Sequence, residues 1–316
     1  MHDEFAKIDW LKHRFELDIQ PDGVVVGIGD DAAVFDFGSR PTVITVDTQV
    51  EGIHFRRSAI SSRDLGRRAM IAAASDVWAM AAMPSASVIA LTLPPELSEQ
   101  DFHELIEGLA GAARVTGARV IGGNLSGGHA LSITTTVFGP PIARPITRGG
   151  ARPGESVYVT GTLGAAALGL AILEAGRSDL EHAPRFIERW RRPPMNGHAV
   201  ETLAAVATAA VDVSDGCLQD LQHVCDASGV GATLRADSLP TAPGYATTSR
   251  VLGLDPLSLA LSGGEDYELL FTARASSEAE AIATQIGEVT ADGGVSVIDA
   301  DGRAIDVQRT GFRHFS

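Results

Sequence analysis

Lysine is almost missing from this 316-residue chain. Of its 25 basic residues only Lys7 and Lys12 are lysines, and the other 23 are arginines. A P-loop needs a lysine on the nucleotide phosphates, a protein kinase needs a lysine on its third strand, and Schiff-base enzymes need an amine. The absence of lysine after residue 12 excludes these three kinds of site. Metal ions and arginines must therefore carry any phosphate chemistry.

Cysteines, aromatic residues and long apolar runs are also scarce. Cys217 and Cys225 form no Cys-x-x-Cys pattern, which argues against a disulfide framework, a zinc ribbon and a secreted fold. Aromatic residues make up 5% of the chain, so its core must consist mainly of Ala, Val, Leu and Ile. The most apolar stretch, which starts at Gly161, is too short to cross a bilayer, and the N-terminus lacks a signal-peptide pattern. We expect a soluble, cytoplasmic protein with no membrane partner.

Positive charge is in deficit. The chain has 40 acidic residues against 25 basic ones, a net charge of −15. A surface of this sign repels nucleic-acid backbones and anionic lipids, so we expect no nucleic-acid partner. Hydrophobic residues make up 45% of the sequence, which is enough for sizeable cores, and the length suits two domains.

Strand-like and helix-like segments alternate in both halves of the chain, which predicts an α/β protein. The clearest helix is the alanine-rich segment 63–83, and the clearest break is the proline- and glycine-rich stretch 139–154. We place the boundary there and predict domains 1–145 and 146–316. The other predicted helices cover 5–17, 163–175, 197–209, 217–228 and 276–284, with one more that begins after an N-cap at Ser98. The predicted strands cover 24–29, 32–37, 42–47, 85–93, 118–123, 130–139, 156–161, 209–215, 230–236 and 267–272, with short strands up to 298.

Acidic residues stand in apolar or glycine-rich surroundings at five places. These are Asp30 with Asp31, Asp47, Asp76, Asp212 with Asp215, and Glu265 with Asp266. Asp47 and Asp212 lie toward the C-terminal ends of predicted strands, where α/β sheets bind ligands. A buried carboxylate needs a proton, a cation or several hydrogen-bond donors, and Mg²⁺ prefers Asp and Thr oxygens. Each acid alone could be a turn or helix-cap residue, but together they favour a divalent metal site that binds a nucleotide.

Two further patterns leave alternatives open. Gly27-x-Gly29-x-x-Ala32 is similar to a dinucleotide-binding fingerprint, with Glu51 downstream, although the residues after it alternate like a strand. Cys217 follows Ser-Asp-Gly at a predicted helix start, where the pKa of its thiol could be lowered. A small buried hydrophobe is the interpretation of Cys217 that we favour.

In their order along the chain, several segments resemble the thiamine-monophosphate kinase family of the aminoimidazole-ribotide-synthetase-like (PurM-like) superfamily. The most specific are VEGIHF, DVSDG and SGGEDYELL, and the resemblance runs from residue 4 to 315. It implies a two-domain PurM-like fold with a C-terminal α/β sandwich, and a homodimer whose N-terminal domains share a β-barrel. It also implies in-line transfer of the γ-phosphoryl group of ATP to thiamine monophosphate, assisted by several Mg²⁺ ions.

The resemblance implies roles for individual residues. It implies no catalytic residue other than the groups that hold metal. The metal ligands would be Asp30, Thr45, Asp47, Asp76, Asn124, Asp212 and Asp215. ATP would contact Gly123, Arg148 and Ser214, and thiamine monophosphate would contact His54, Glu265 and Phe312.

The chain departs from the family at two positions. Asn124 stands where the family usually has aspartate, so one Mg²⁺ site should be weaker, and Val46 replaces a residue that often carries a hydroxyl group. Asn124 favours the alternative of a non-catalytic nucleotide- or metal-binding regulatory protein. Another ATP-using PurM-like enzyme is the remaining alternative.

Overall fold

The computed structural model describes residues 23–27, 29–38 and 41–307. The predicted first helix at 5–17 and the predicted substrate residue Phe312 lie outside the described residues. Two six-stranded sheets, each with helices packed against it, dominate the described part of the chain. This agrees with the predicted two-domain α/β fold, while the position of the domain boundary stays a prediction.

The first sheet is antiparallel except at one edge. Its strands are β1 (Val24–Val26), β2 (Ala33–Asp36), β3 (Pro41–Val50), β4 (Ala86–Leu93), β5 (Arg119–Gly127) and β6 (Ser132–Gly139). They lie in the order β1-β2-β3-β6-β4-β5, and only the β4–β5 pair is parallel. Helices α1 (Ser62–Ala79) and α2 (Glu99–Thr116) accompany this sheet. The predicted cap at Ser98 is confirmed, since its side chain accepts a hydrogen bond from the backbone N–H of Asp101.

The second sheet is also mixed. Its strands are β7 (Ser156–Val159), β8 (Ala209–Asp212), β9 (Gly231–Arg235), β10 (Leu269–Ala273), β11 (Thr284–Thr290) and β12 (Gly294–Ile298). They lie in the order β12-β9-β11-β7-β10-β8, with a parallel pair at the β12 edge. The helices of this half are α3 (Ala165–Glu174), α4 (Ala183–Arg191), α5 (Val200–Val206), α6 (Cys217–Ser228), α7 (Tyr245–Val251), α8 (Pro256–Ser262) and α9 (Ser277–Glu280). None of the helices in the described ranges has the length and apolar composition needed to cross a bilayer.

Helices α1 and α2 cross with their backbones almost in contact. A Cβ atom on Gly66 would lie 2.1 Å from the carbonyl oxygen of Leu105, and one on Gly108 would lie 1.9 Å from that of Arg63. Both positions therefore require glycine. Most residues of α1 are buried, and the helix contacts strands of both sheets. Polar side chains on α1 are thus placed where they can reach groups of either half.

Several predicted elements were wrong in their extent. Strand β3 continues past Asp47 to Val50 because it stays paired with β6, so Asp47 lies inside a strand rather than at its end. The predicted helix 276–284 is a short turn of helix, because residues from Thr284 onward pair in the second sheet. Helices α4, α7 and α8 were not predicted.

The dinucleotide-binding alternative is also wrong, since β2, and not a helix, follows Gly29. Cys217 is buried, and burial raises the pKa of its thiol, as expected for a small hydrophobe.

Candidate active site

Three aspartates from distant parts of the chain converge between the two sheets. Asp31 lies in the turn before β2, Asp76 lies on α1, and Asp212 is the last residue of β8. Each offers a carboxylate oxygen within 4.8 Å of the others, and we refer to these three residues as the aspartate group. Asp212 is 2% exposed and the side chain of Asp31 is 1% exposed, so their charges cannot be dispersed into water.

Asp76 is held by a strand of the first sheet. The hydroxyl group of Thr45, on β3, donates a hydrogen bond to Oδ2 of Asp76 at 2.6 Å. Burial and then the negative charges of Asp212 and Asp31 raise the pKa of Asp76 well above its ordinary value. Thr45 therefore orients the carboxylate of Asp76. Both residues are predicted metal ligands, and the structure places them side by side.

Arg148 brings a positive charge to the aspartate group through an ion pair with Asp31. Its Nε donates to Oδ1 of Asp31 at 3.1 Å, and its backbone N–H lies 3.2 and 3.1 Å from the two carboxylate oxygens of Asp30. Burial, followed by the charge of Asp31, raises the pKa of Asp30 to about 6. The charge of Arg148 acts on Asp30, Asp31, Asp212 and Asp220, and one guanidinium cannot neutralise four carboxylates.

The chemistry of this group fits a hard divalent cation. Oδ2 of Asp31 and Oδ2 of Asp212 are buried, and neither has a hydrogen-bond partner among the described residues. Burial, and then the charge of Asp31, raises the pKa of Asp212 to about 7. Mg²⁺ prefers oxygen ligands such as carboxylates, and its charge would offset the repulsion between buried carboxylates that lack hydrogen-bond donors. The residues present therefore fit the Mg²⁺ site that the sequence predicts.

Without metal, the stability of the protein should fall as the pH rises. In the unfolded chain an aspartate has a pKa near 4, whereas in the folded chain the pKa of Asp30 is about 6 and that of Asp212 about 7. Between these values the folded state binds more protons than the unfolded state, so the free energy of unfolding decreases with pH. We expect Tm in EDTA to fall by roughly 5 °C or more between pH 5 and pH 8.

Excess Mg²⁺ should remove this fall, because the ion binds the deprotonated carboxylates of the folded state only. Thermal unfolding followed by circular dichroism at each pH, with EDTA or with Mg²⁺, measures the effect. A Tm in EDTA that increased with pH would contradict the raised pKa values.

Asp47 and Asp215 lie next to the aspartate group. The charge of Asp47 contributes to the raised pKa of Asp76, and that of Asp215 to the raised pKa of Asp212. Asp47 accepts hydrogen bonds from the backbone N–H of Thr48 at 2.7 Å and from Nε2 of Gln49 at 3.4 Å. Of the seven predicted metal ligands, six therefore gather at one place.

Asn124 is the seventh, and the structure does not bring it to the aspartate group. It lies on the edge strand β5 opposite Ala90, whereas Asp47 is opposite Thr135 on β6. Two strands separate β5 from β3, which is about 14 Å at the usual strand spacing. Alternation along the strands also places Asn124 and Asp47 on opposite faces of the sheet.

The loop that follows β8 is held by a buried acid that the sequence prediction missed. Oδ2 of Asp220, on α6, accepts hydrogen bonds from the backbone N–H groups of Ser214, Asp215 and Gly216 at 3.0 to 3.1 Å. The carbonyl oxygen of Ser214 accepts from the backbone N–H of Glu265. The backbone N–H of Ser214 is thus already engaged, so a hydrogen bond from Ser214 to an ATP phosphate would use its side-chain hydroxyl group.

Two of the three predicted substrate residues, Glu265 and His54, belong to the described part of the chain, and both lie near this centre. Trp190 donates from Nε1 to Oε2 of Glu265 at 2.8 Å, and buried Arg68 forms an ion pair with Oε1 of the same carboxylate. His54 follows β3, where its Nδ1 accepts a hydrogen bond from the backbone N–H of Val50 at 3.0 Å. The charge of His54 affects the pKa of Asp47, so the two side chains are near each other.

Gly123, the third predicted ATP contact, lies on β5. A Cβ atom at this position would lie 1.9 Å from the carbonyl oxygen of Ile89, so the close pairing of β5 with β4 requires glycine. With its neighbours it lines an apolar groove of about 340 Å³ between β5 and α2. Gly123 is therefore on the edge strand, away from the aspartate group.

Asp31 was singled out with Asp30 as a candidate acid but was not counted among the predicted metal ligands, because which of two adjacent acids points inward depends on the turn. Two other residues of the site, Asp220 and Arg68, were missed. Asp220 resembles an ordinary helix acid. Arg68 did give a signal, since an arginine on the alanine-rich, buried face of α1 needs an acidic partner.

Family comparisons identify the class to which this fold and site belong. Residues 29–140 match the family described as AIR synthase related protein, N-terminal domain, and residues 152–300 match AIR synthase related protein, C-terminal domain. The chain therefore has the two-domain architecture of the AIR synthase related proteins, which is the predicted PurM-like fold.

Closer relatives define the family within that class. Thiamine-monophosphate kinase of Aquifex aeolicus (strain VF5) is 32% identical over 314 residues, covering 99% of this chain and 98% of the relative. The enzyme of Escherichia coli (strain K12) is 36% identical over 306 residues, 93% of each chain. A solved structure of AaThiL complexed with AMPPCP and TMP superimposes with a TM-score of 0.89 at 32% identity, covering 99% of this chain and 97% of that one. The chain belongs to the thiamine-monophosphate kinase family.

Proposed function

We propose that this protein is an ATP-dependent kinase that phosphorylates thiamine monophosphate to thiamine diphosphate. The observation that carries the proposal is the aspartate group, with two buried carboxylate oxygens that lack hydrogen-bond partners among the described residues. Enzymes similar in sequence to this chain are thiamine-monophosphate kinases, and the similar AaThiL structure is a complex with AMPPCP, an ATP analogue, and TMP. A chain with almost no lysine needs such a group to bring two anionic phosphates together.

Mg²⁺ would be held by Asp31, Asp76 and Asp212, with Asp30, Thr45, Asp47 and Asp215 beside them, and we propose more than one ion. When bound, Mg²⁺ neutralises phosphate oxygens and so stabilises the charge of the transition state. Arg148 would add a fixed positive charge for ATP at the edge of the group. Gly123 and the side chain of Ser214 remain proposed ATP contacts, and His54, Glu265 and Phe312 remain proposed contacts of the acceptor.

The chain itself contributes position and charge in this proposal. The acceptor is a phosphate oxygen that is already anionic, so no side chain has to remove a proton from it. Thr45 and Asp220 hold the carboxylates and the loop in place before substrate binds. The absence of a general base from the predicted site is therefore consistent with the in-line transfer that we propose.

A coupled assay of ADP release with ATP, Mg²⁺ and thiamine monophosphate tests the function. We expect product formation that requires all three, with free thiamine a poor acceptor because it lacks the phosphate. ATP binding without ADP release would instead favour a non-catalytic regulatory protein, and ADP release with a different acceptor would favour another enzyme of the superfamily. A cytoplasmic location stays a prediction from the sequence.

We also propose that the protein is a homodimer joined through the edge of the first sheet. All nine residues of β5 are exposed, and Ile121 (68% exposed) and Leu125 (63%) are among them. An exposed apolar edge strand beside an apolar groove is what an isolated monomer avoids. A barrel shared by two protomers would place a second copy of this chain against β5. In such a dimer Asn124 could reach a metal site only across the interface.

Replacing Ile121 by lysine should convert the dimer to a monomer, because the new charge would be buried at the interface. Light scattering coupled to size-exclusion chromatography measures the mass of wild type and variant. Val251→Lys, at an exposed apolar position (54%) in the other half, is the matched control and should stay dimeric. A wild-type protein that elutes as a monomer at micromolar concentration would contradict the proposal.

A further inference from the structure

Arg68 is a fully buried arginine to which neither the sequence analysis nor the proposed function gives a role. It lies on α1, eight residues before Asp76 and therefore about 12 Å away along the helix axis. Its guanidinium forms an ion pair with Glu265 and donates to the carbonyl oxygen of Trp190. A buried guanidinium would be very costly without such partners, so these contacts fix its position.

Arg68 also connects Glu265 to the metal side of the site. Its Nε lies 3.5 Å from Oε1 of Gln49, whose Nε2 lies 3.4 Å from Oδ2 of Asp47. The amide of Gln49 can take only this orientation, since a guanidinium only donates and a carboxylate only accepts. A continuous series of polar contacts thus runs from Asp47 in the first sheet to Glu265 beside the second.

Glu265 is fixed from several directions. Its backbone has a φ of +69°, which a side-chain-bearing residue rarely adopts, and its N–H donates to the carbonyl oxygen of Ser214 at 2.7 Å. One carboxylate oxygen is bound by Arg68 and the other by Trp190, yet a quarter of the side chain remains exposed. Such strain and multiple anchoring are typical of a group that must be held for a ligand.

The rings around Arg68 complete this arrangement. Its guanidinium carbon lies 5.1 Å from the ring centre of Trp190 and 5.9 Å from that of Tyr267, within the range of cation–π contacts. Lysine could supply the charge but not the planar fork that reaches Glu265, Trp190 and Gln49 together. The environment is therefore built for arginine in particular.

We propose that Arg68 is a positioning residue for the acceptor: it fixes the carboxylate of Glu265 at a set distance from the aspartate group. The inference rests on the proposed function, in which Glu265 is a contact of the acceptor. Helix α1 carries both Arg68 and Asp76, so one rigid element sets the spacing between the two ends of that substrate. Arg68 would then decide which acceptors place their phosphate at the metal site.

The test is Arg68→Lys, with steady-state kinetics for both substrates. We expect KM for thiamine monophosphate to rise about tenfold or more, as for the loss of a hydrogen bond to a charged group, while KM for ATP stays within about twofold. Arg63→Lys is the matched control, because Arg63 lies on the same helix and pairs with Glu104 at the surface. That control should change neither constant.

Trp190→Phe provides a second variant, since it removes one donor to Glu265 but leaves Arg68 in place. It should also raise KM for the acceptor, because it loosens the same carboxylate. If Arg68→Lys does not fold, an unchanged acceptor KM in Trp190→Phe would still overturn the inference. The double variant Arg68→Lys/Glu265→Gln should be no worse for acceptor binding than Glu265→Gln alone. Calorimetric binding of thiamine monophosphate without ATP gives a readout that is independent of turnover.

Equal changes in KM for ATP and for thiamine monophosphate, or additive effects in the double variant, would show that Arg68 only joins the two halves. An unchanged acceptor KM in the folded variants would overturn the inference as well. Failure of the proposed function looks different, because wild-type protein would then not phosphorylate thiamine monophosphate at all.

Discussion

Asp212→Asn should reduce turnover by about 100-fold or more at saturating ATP and low millimolar Mg²⁺. Asp212 ends β8 in the middle of the aspartate group, and its Oδ2 has no hydrogen-bond partner among the described residues. An amide keeps the shape of the side chain but removes the charge that attracts the cation. The measurement is kcat for thiamine monophosphate phosphorylation, with Mg²⁺ varied at a fixed concentration of MgATP.

The stability of this variant separates a metal effect from a folding effect. In EDTA, Asp212→Asn should be at least as stable as wild type, because one of several repelling carboxylates has gone. It should, however, lose much of the increase in Tm that Mg²⁺ gives to wild type. Asp226→Asn, on the exposed end of α6, is the control and should behave as wild type. A near-normal kcat for Asp212→Asn would rule out a metal role for this carboxylate.

Arg148→Met should destabilise the metal-free protein by about 3 kcal/mol. This value is at the low end of the range for a broken buried ion pair, because the arginine side chain is 23% exposed. Asp31 would lose the guanidinium that faces it and remain buried beside Asp76 and Asp212. Chemical denaturation in EDTA measures the loss. Added Mg²⁺ should restore a large part of it, because the ion supplies the missing positive charge.

The matched control is Arg177→Met, which removes an exposed arginine paired with Asp179 and should leave stability unchanged. If Mg²⁺ failed to stabilise Arg148→Met more than it stabilises wild type, the cation would not lie beside Asp31. A variant as stable as wild type in EDTA would mean that Asp31 is protonated in the metal-free protein and needs no partner.

The sequence was most informative where a residue type conflicts with its surroundings. Asp76 was recognised because a lone acid interrupts an alanine-rich helix, and the extent of α6, Cys217–Ser228, was predicted in full from its pattern. Helix α4 was missed because its segment is rich in arginine and proline. What stabilises α4 is the burial of Phe186, Ile187 and Trp190 against distant residues, which local sequence does not reveal.

The missed contacts have the same cause. The partner of Arg68 is Glu265, which is 197 positions away, so a buried arginine could be noticed but its ion pair could not be predicted. The choice between Asp30 and Asp31 depends on the turn before β2. Asn124 matched a family position, but its place on an edge strand follows from pairing with β4, which motif spacing does not encode.

Asp220 has a consequence for how inhibitors could act on this protein. Its carboxylate already occupies the three backbone amides of the loop after β8, which would otherwise form an anion-binding cradle. Sulfate, vanadate or a phosphonate would therefore find no foothold there without displacing an internal acid. Anionic inhibitors of this site would instead have to bind the metal or Arg148, and compounds that reach neither should gain little from imitating a phosphate.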